Sequence, residues 1–183
     1  MRIENDYYVT PAWCVDRLID SVPLSPSRWI DPCVGNGAIV RAVSGRIPDV
    51  WWTTCDIRRH QDFNPDIVGD YLSVNLGRYD VCVANPPYKY AIEFVKKAIS
   101  HCDDVIMLLR INFLASAKRH AFLRANKPDI YVLPQRPSFT GTGSDGTDYA
   151  WMRWSKTTDG EITFLDKTSR SERQKKESVP GKS

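Results

Sequence analysis

The chain has 183 residues, a mass of 20.9 kDa, a hydrophobic fraction of 42% and a charged fraction of 26%. A single domain of this size buries about 70% of its unfolded surface, so it needs no disulfide or metal staple. No apolar run approaches the about 20 residues of a membrane helix, and the polar start from Met1 to Asp6 is unlike a secretory signal. A cytoplasmic address and no membrane partner are expected. The net charge of +3 is unevenly placed: Lys167 to Ser183 hold six basic and two acidic residues, and the preceding 166 residues hold 19 and 20. The expectation is a near-neutral domain over 1–166 and a basic, disordered tail over 167–183. A strong non-specific polyanion binder would carry more charge on its body, which weakens a nucleic-acid partner without removing it.

Cys14, Cys33, Cys55, Cys82 and Cys102 form no C-x-x-C pair, and His60, His101 and His120 do not stand near them at ligand spacing. No metal site is expected. The cysteines read as small buried hydrophobes of a reducing compartment.

Taken in order, residues 11–21 read as a helix with Trp13, Val15, Leu18 and Ile19 at helical spacing. Thr10 supplies the N-cap and Pro11 the first turn. Residues 28–31 are a short buried strand, turned by Gly35-Asn36-Gly37 into a helix near 37–44. Residues 50–55 are a β-branched and aromatic strand ending at Asp56, and 67–70 a brief edge strand. The run 79–84 is apolar throughout, as in a strand buried on both faces. A helix over 89–101 puts Ala91, Phe94, Val95, Ala98 and Ile99 on one face. Then follow a buried strand at 104–109, a helix at 118–126, and strands at 130–133 and 149–154. Residues 162–165 are expected to close a hairpin with 149–154 across Thr158-Asp159-Gly160.

This alternation implies an α/β fold, a mostly parallel sheet with helices on both faces. Ligands on such sheets bind beyond the carboxyl ends of the strands. Asp31 to Gly37, Asp56, Asp70 and Asn85 onward all follow predicted strands. In Asp31-Pro32-Cys33-Val34-Gly35-Asn36-Gly37, two glycines permit a sharp turn and close approach to a ligand. Asp56 lies 19 positions beyond Gly37, where a carboxylate can accept from ribose hydroxyls. Val40 replaces the third small residue of a dinucleotide fingerprint, and no Gly-Lys-Ser/Thr follows. A lone G-x-G is most often a structural turn; Asp31 before it and Asp56 after it favour a ligand site.

The second constellation is Asn85-Pro86-Pro87-Tyr88. An exocyclic amine on a heterocycle is a poor nucleophile because its lone pair is delocalised into the ring. Acceptors aimed at its hydrogens favour the tetrahedral, nucleophilic form. The Asn85 side-chain oxygen and the Pro86 carbonyl are of that kind, Pro86 and Pro87 fix the backbone, and Tyr88 offers a face for a planar base.

D-x-x-x-G-x-G after the first strand resembles motif I of class I S-adenosylmethionine-dependent methyltransferases. Asn-Pro-Pro-Tyr resembles motif IV of the N6-adenine DNA methyltransferases, whose relatives act on RNA adenine or on a glutamine of release factors. Tyr7-Tyr8-Val9-Thr10-Pro11 resembles motif X, which lies over the cofactor. The resemblance covers about residues 7–155. It implies the Rossmann-like class I methyltransferase fold, with a seven-stranded, mostly parallel sheet. It implies S-adenosyl-L-methionine held by Tyr8, Thr10, Pro11, Asp31, Pro32, Gly35, Gly37, Asp56, Ile57, Asp70, Tyr71 and Asn85, with Ile57 on the adenine ring. The catalytic turn would be Asn85, Pro86, Pro87 and Tyr88.

Arg136-Pro137-Ser138-Phe139 resembles motif VIII. It implies that Phe139 sandwiches an extruded adenine against Tyr88, with Arg136 also on the substrate. Arg58, Arg59, Lys118 and Arg119 are either solvated surface or phosphate contacts. The expected reaction is N6-adenine methylation, of DNA ahead of RNA. The alternative from another class is a non-catalytic partner subunit of the same fold. Sequence-specific members carry a target-recognition domain that these residues do not resemble, so specificity would come from short loops, a second copy or a partner subunit.

Overall fold

The structure is a computed structural model that describes residues 8–139 and 146–169. The elements in chain order are α1 (Ala12–Ser21), β1 (Arg28–Asp31), α2 (Ala38–Ser44), β2 (Trp51–Asp56), β3 (Ile67–Val68), β4 (Tyr79–Ala84), α3 (Ala91–His101), β5 (Cys102–Arg110), α4 (His120–Ala125), β6 (Asp129–Val132), β7 (Tyr149–Ser155) and β8 (Ile162–Phe164). Single 3-10 turns at Tyr88–Tyr90 and Ile111–Phe113 follow β4 and β5. Among the described residues no helix is long and apolar enough to cross a membrane.

The strands form one sheet in the order β3-β2-β1-β4-β5-β7-β6-β8. From β3 to β5 every pairing is parallel; β7 runs antiparallel to both β5 and β6. The period of two along β5 explains why its sequence is apolar throughout. Ile106 and Leu108 join the core under α1 and α2, with Trp29, Val83 and Trp151. Val105, Met107 and Leu109 join the opposite core under α3, with Phe94, Val95 and Met152. Two polar contacts tie the layers together. The Trp151 indole donates to the Cys14 carbonyl of α1 at 2.8 Å. Arg153 of β7 grips both carboxylate oxygens of Asp104 on β5, with contacts from 2.7 to 3.0 Å.

The architecture differs from the sequence reading in three places. The sheet has eight strands rather than seven, and β8 pairs in parallel with β6, not as a hairpin with β7. The cause is Asp129, whose Oδ1 accepts from the Asp159, Gly160 and Glu161 amides at 3.2, 3.1 and 3.0 Å. That carboxylate draws the turn past the start of β6, so the chain returns on its outer side. Thr10 does not cap α1; Pro11 holds the capping position without a side-chain bond. The start of the predicted tail lies on the body: Thr168 is buried, its hydroxyl accepts from Arg17 at 3.0 Å and its carbonyl accepts from Gln135 at 2.9 Å. The rest of that tail lies outside the described residues.

Candidate functional site

The carboxyl ends of β1, β2 and β4 open into a cavity of about 880 Å³. Asp31 ends β1 and is 1% exposed. Burial pushes its carboxyl up to about 8; the Cys33 amide bond opposes this and the nearby Asp56 carboxylate adds to it. Asp31 is therefore largely neutral at pH 7 while nothing cationic faces it.

The following loop is stapled to the end of β2. Asp56 Oδ2 accepts from the Gly35 amide at 2.8 Å, and the Val34 amide donates to the Cys55 carbonyl at 2.9 Å. Gly35 and Gly37 have φ of 54° and 79°, in the left-handed region that favours glycine. At Gly37 there is a second reason: a Cβ would lie 2.2 Å from Cδ2 of Phe63. Its close approach is thus to a protein ring rather than to a ligand.

Asp70 is exposed on the rim, with its oxygens accepting from the Leu72 amide and the Ser73 hydroxyl. Tyr71 backs the cavity and is 2% exposed; its hydroxyl meets His101 Nε2 at 2.8 Å. Ile57 lines the same cavity and leaves 70% of its surface to solvent.

Asn85 ends the run begun by β4. Its Nδ2 donates to the Tyr8 carbonyl at 3.2 Å and to the Thr10 hydroxyl at 3.1 Å. These two bonds fix which way the amide points, and they are the use of Thr10 that replaces helix capping. Asn85 Oδ1 accepts from the Tyr88 hydroxyl at 2.8 Å. The Tyr88 ring lies beneath the Arg110 guanidinium, 4.7 Å from its centroid. Tyr88 and Lys89 also border a second cavity of about 430 Å³, which shares Tyr8 and Lys89 with the first.

The structure thus gathers Tyr8, Thr10, Asp31, Pro32, Gly35, Asp56, Ile57, Asp70, Tyr71, Asn85 and Pro87 around one cavity, with Tyr88 on the wall of its neighbour. Pro11, Gly37, Pro86, Phe139 and Arg136 line neither. Phe139 is 7% exposed and packs edge-on against Tyr8 at 5.4 Å and Tyr149 at 5.1 Å. Tyr8 also touches Tyr88, at 5.7 Å, so it bridges the two rings expected to sandwich a base. Arg136 pairs with Asp148 at 2.8 Å on the surface. Sequence reasoning missed Arg110, and it considered His60 as a metal-ligand candidate rather than as part of this site. His60 Nε2 lies 3.3 Å from Asp56 Oδ1, and the spacing Asp56-x-x-x-His60 was the available signal.

No family model matches the sequence, and no curated protein is similar to it in sequence. Solved structures are similar in fold. A Streptococcus thermophilus methyltransferase subunit of a type I restriction-modification system superposes with a TM-score of 0.63 at 14% identity, over 92% of this chain and 52% of that one. A Listeria monocytogenes protein assigned to the class I S-adenosylmethionine-dependent methyltransferases gives 0.60 at 11%, over 90% and 66%. A Plasmodium falciparum dimethyladenosine transferase gives 0.60 at 16%, over 81% and 63%. The chain spans between half and two thirds of the length of these structures. Its mixed, mostly parallel eight-stranded sheet is the Rossmann-like fold of the class I methyltransferases.

Proposed function

We propose that this chain methylates the N6 amine of adenine in DNA, using S-adenosyl-L-methionine. The observation that carries the reading is the clamped Asn85 amide. Tyr8 and Thr10 take its two donors, which leaves its oxygen turned toward Tyr88 at the boundary of the two cavities. An acceptor fixed there suits an amine on a stacked base. The fold neighbours named for restriction-modification and for dimethyladenosine transfer agree with this reading.

The larger cavity fits the cofactor. It offers Asp56 and Asp70 for hydroxyls or ring nitrogens, Ile57 for a flat ring, and Asp31 for a cationic centre. When bound, the cofactor would supply a sulfonium methyl group for attack by the amine nitrogen, with the carbon–sulfur electron pair leaving on a neutral thioether and the surplus amine proton passing to solvent. Asn85 Oδ1 accepts an amine hydrogen and favours localisation of the amine lone pair on nitrogen; Pro86, which lines neither cavity, has no part in this. Tyr88 supplies a stacking face. Its hydroxyl occupies one of the two lone pairs of Asn85 Oδ1, which leaves the other for an amine hydrogen. The remaining barrier is lowered by positioning.

The test is incubation with methyl-labelled cofactor and either unmethylated DNA or RNA, followed by digestion and mass analysis for N6-methyladenine. Label is expected in DNA, and Asn85→Ala should lose about 100-fold or more in rate, as for other oriented polar groups at a reacting centre. Transfer to RNA alone would move the substrate, and an Asn85→Ala variant of normal rate would remove the catalytic assignment.

A further inference from the structure

The second cavity differs in charge from the first. The first is lined by Asp31, Asp56 and Asp70 together with the basic residues Arg58 and Lys89, so it carries both signs. The second has no carboxylate among its described lining residues, and its cations are Lys89, Arg110 and Arg119. Each arginine has its guanidinium carbon over an aromatic ring. Arg110 lies over Tyr88 at 4.7 Å and donates from Nε to the Tyr149 hydroxyl at 3.1 Å. Arg119 lies over Phe113 at 4.7 Å, with Nε on the Phe113 carbonyl at 2.7 Å and an Nη on the Asn112 carbonyl at 3.1 Å.

Those carbonyls orient Arg119 without neutralising it. Among the described residues no carboxylate stands within ion-pair distance of it, whereas Arg17, Arg46, Arg78, Arg136 and Arg153 each meet an aspartate. A guanidinium fixed in place but lacking an acidic partner is suited to a phosphate, whose oxygens match its planar fork. Arg119 shares this cavity with Tyr88, whose hydroxyl hydrogen-bonds Asn85, so a nucleotide presented to Asn85 would bring its backbone into the same space.

We propose that this cavity is a phosphodiester receptor, in which Arg110 and Arg119 hold the phosphate flanking the adenosine whose amine is presented to Asn85. The proposal rests on the methyltransferase reading for the identity of that nucleotide. It deepens that reading by assigning the substrate backbone to the last residue of β5 and to the loop that follows. Arg110 has a second role, since it also backs the ring of Tyr88. Arg119 is a pure backbone contact and is the cleaner probe.

The test uses the full chain and a short single-stranded DNA with one adenine, in which single linkages are replaced in turn by uncharged methylphosphonate. Binding is followed by fluorescence anisotropy over a salt series. In the wild-type protein, neutralising one linkage beside the adenine should weaken binding about tenfold, as expected for a charge-assisted bond, and neutralising distant linkages should not. In Arg119→Gln the affinity should fall by about tenfold, the salt slope should drop by about one, and that linkage should become indifferent to methylphosphonate. Arg119→Lys should recover part of the loss. Cofactor affinity, read by calorimetry, should be unchanged in both variants, which separates this effect from misfolding. Equal sensitivity of wild type and Arg119→Gln to the flanking linkage would overturn the receptor. Because binding is read without turnover, a protein that binds in this pattern yet methylates nothing would refute the methyltransferase reading and leave the receptor standing.

Discussion

Replacing Asp31 by asparagine should remove a pH dependence from cofactor binding. Burial holds the carboxyl at about 8 in the free protein. Binding a sulfonium and an ammonium group beside it favours the ionised form, so below about pH 8 binding must expel a proton. The ionised fraction falls from about one half at pH 8 to about one hundredth at pH 6. That ratio weakens affinity about 50-fold, on the order of 2 kcal/mol. Calorimetry at pH 6, 7 and 8, in buffers of different ionisation enthalpy, reads both the affinity and the proton released. Asp31→Asn should bind with little pH dependence and release little proton, and it controls for titration of the cofactor's own amine. Wild-type affinity that is flat from pH 6 to 8, or a slope unchanged in the variant, would refute the assignment of Asp31 to the cationic end. The sign for folding is opposite. A carboxyl raised in the folded state contributes stability that is full below its ordinary value and is lost as pH rises through about 8. The cofactor-free protein should therefore melt at falling temperature from about pH 4 to 8 relative to Asp31→Asn.

Gly37→Ala should cost about 2–4 kcal/mol in urea unfolding, from the left-handed backbone and the collision with Phe63. In a Phe63→Ala background the collision is gone and only about 1 kcal/mol of backbone cost should remain; full additivity of the two substitutions would contradict the packing explanation. Tyr88→Phe keeps the stacking face and removes only the hydroxyl that rests on Asn85, so its methylation rate should stay within about threefold of wild type. A loss as deep as that of Asn85→Ala would mean that the hydroxyl takes part in the chemistry.

The strands β4 and β5 were legible because buried parallel strands write continuous apolar runs, and β1 to β4 because an aspartate or Asn85 stands at or just past their carboxyl ends. Asp31, Asp56, Ile57, Asp70 and Asn85, singled out on that placement, line one cavity. Two kinds of information were not in the local pattern. The destination of β8 depends on Asp129, a residue 30 positions before the turn it captures. The roles of Thr10, Phe139 and Arg110 depend on partners from distant strands: Asn85, Tyr149 and Tyr88. Thr10 before a proline looks like a helix start at short range, and only the folded sheet brings Asn85 to its hydroxyl. Gly37 shows a further limit: its sequence neighbours announce a turn, but not the Phe63 ring that forbids a side chain there.

The bonds from Asn85 to Tyr8 and Thr10 cross 77 and 75 positions of sequence. The Asn85 amide is therefore aimed by the strap of chain ahead of α1. Under the reaction proposed above, the orientation of the acceptor would depend on a segment that also lines the cofactor cavity, so one side chain's pair of donors would link the two.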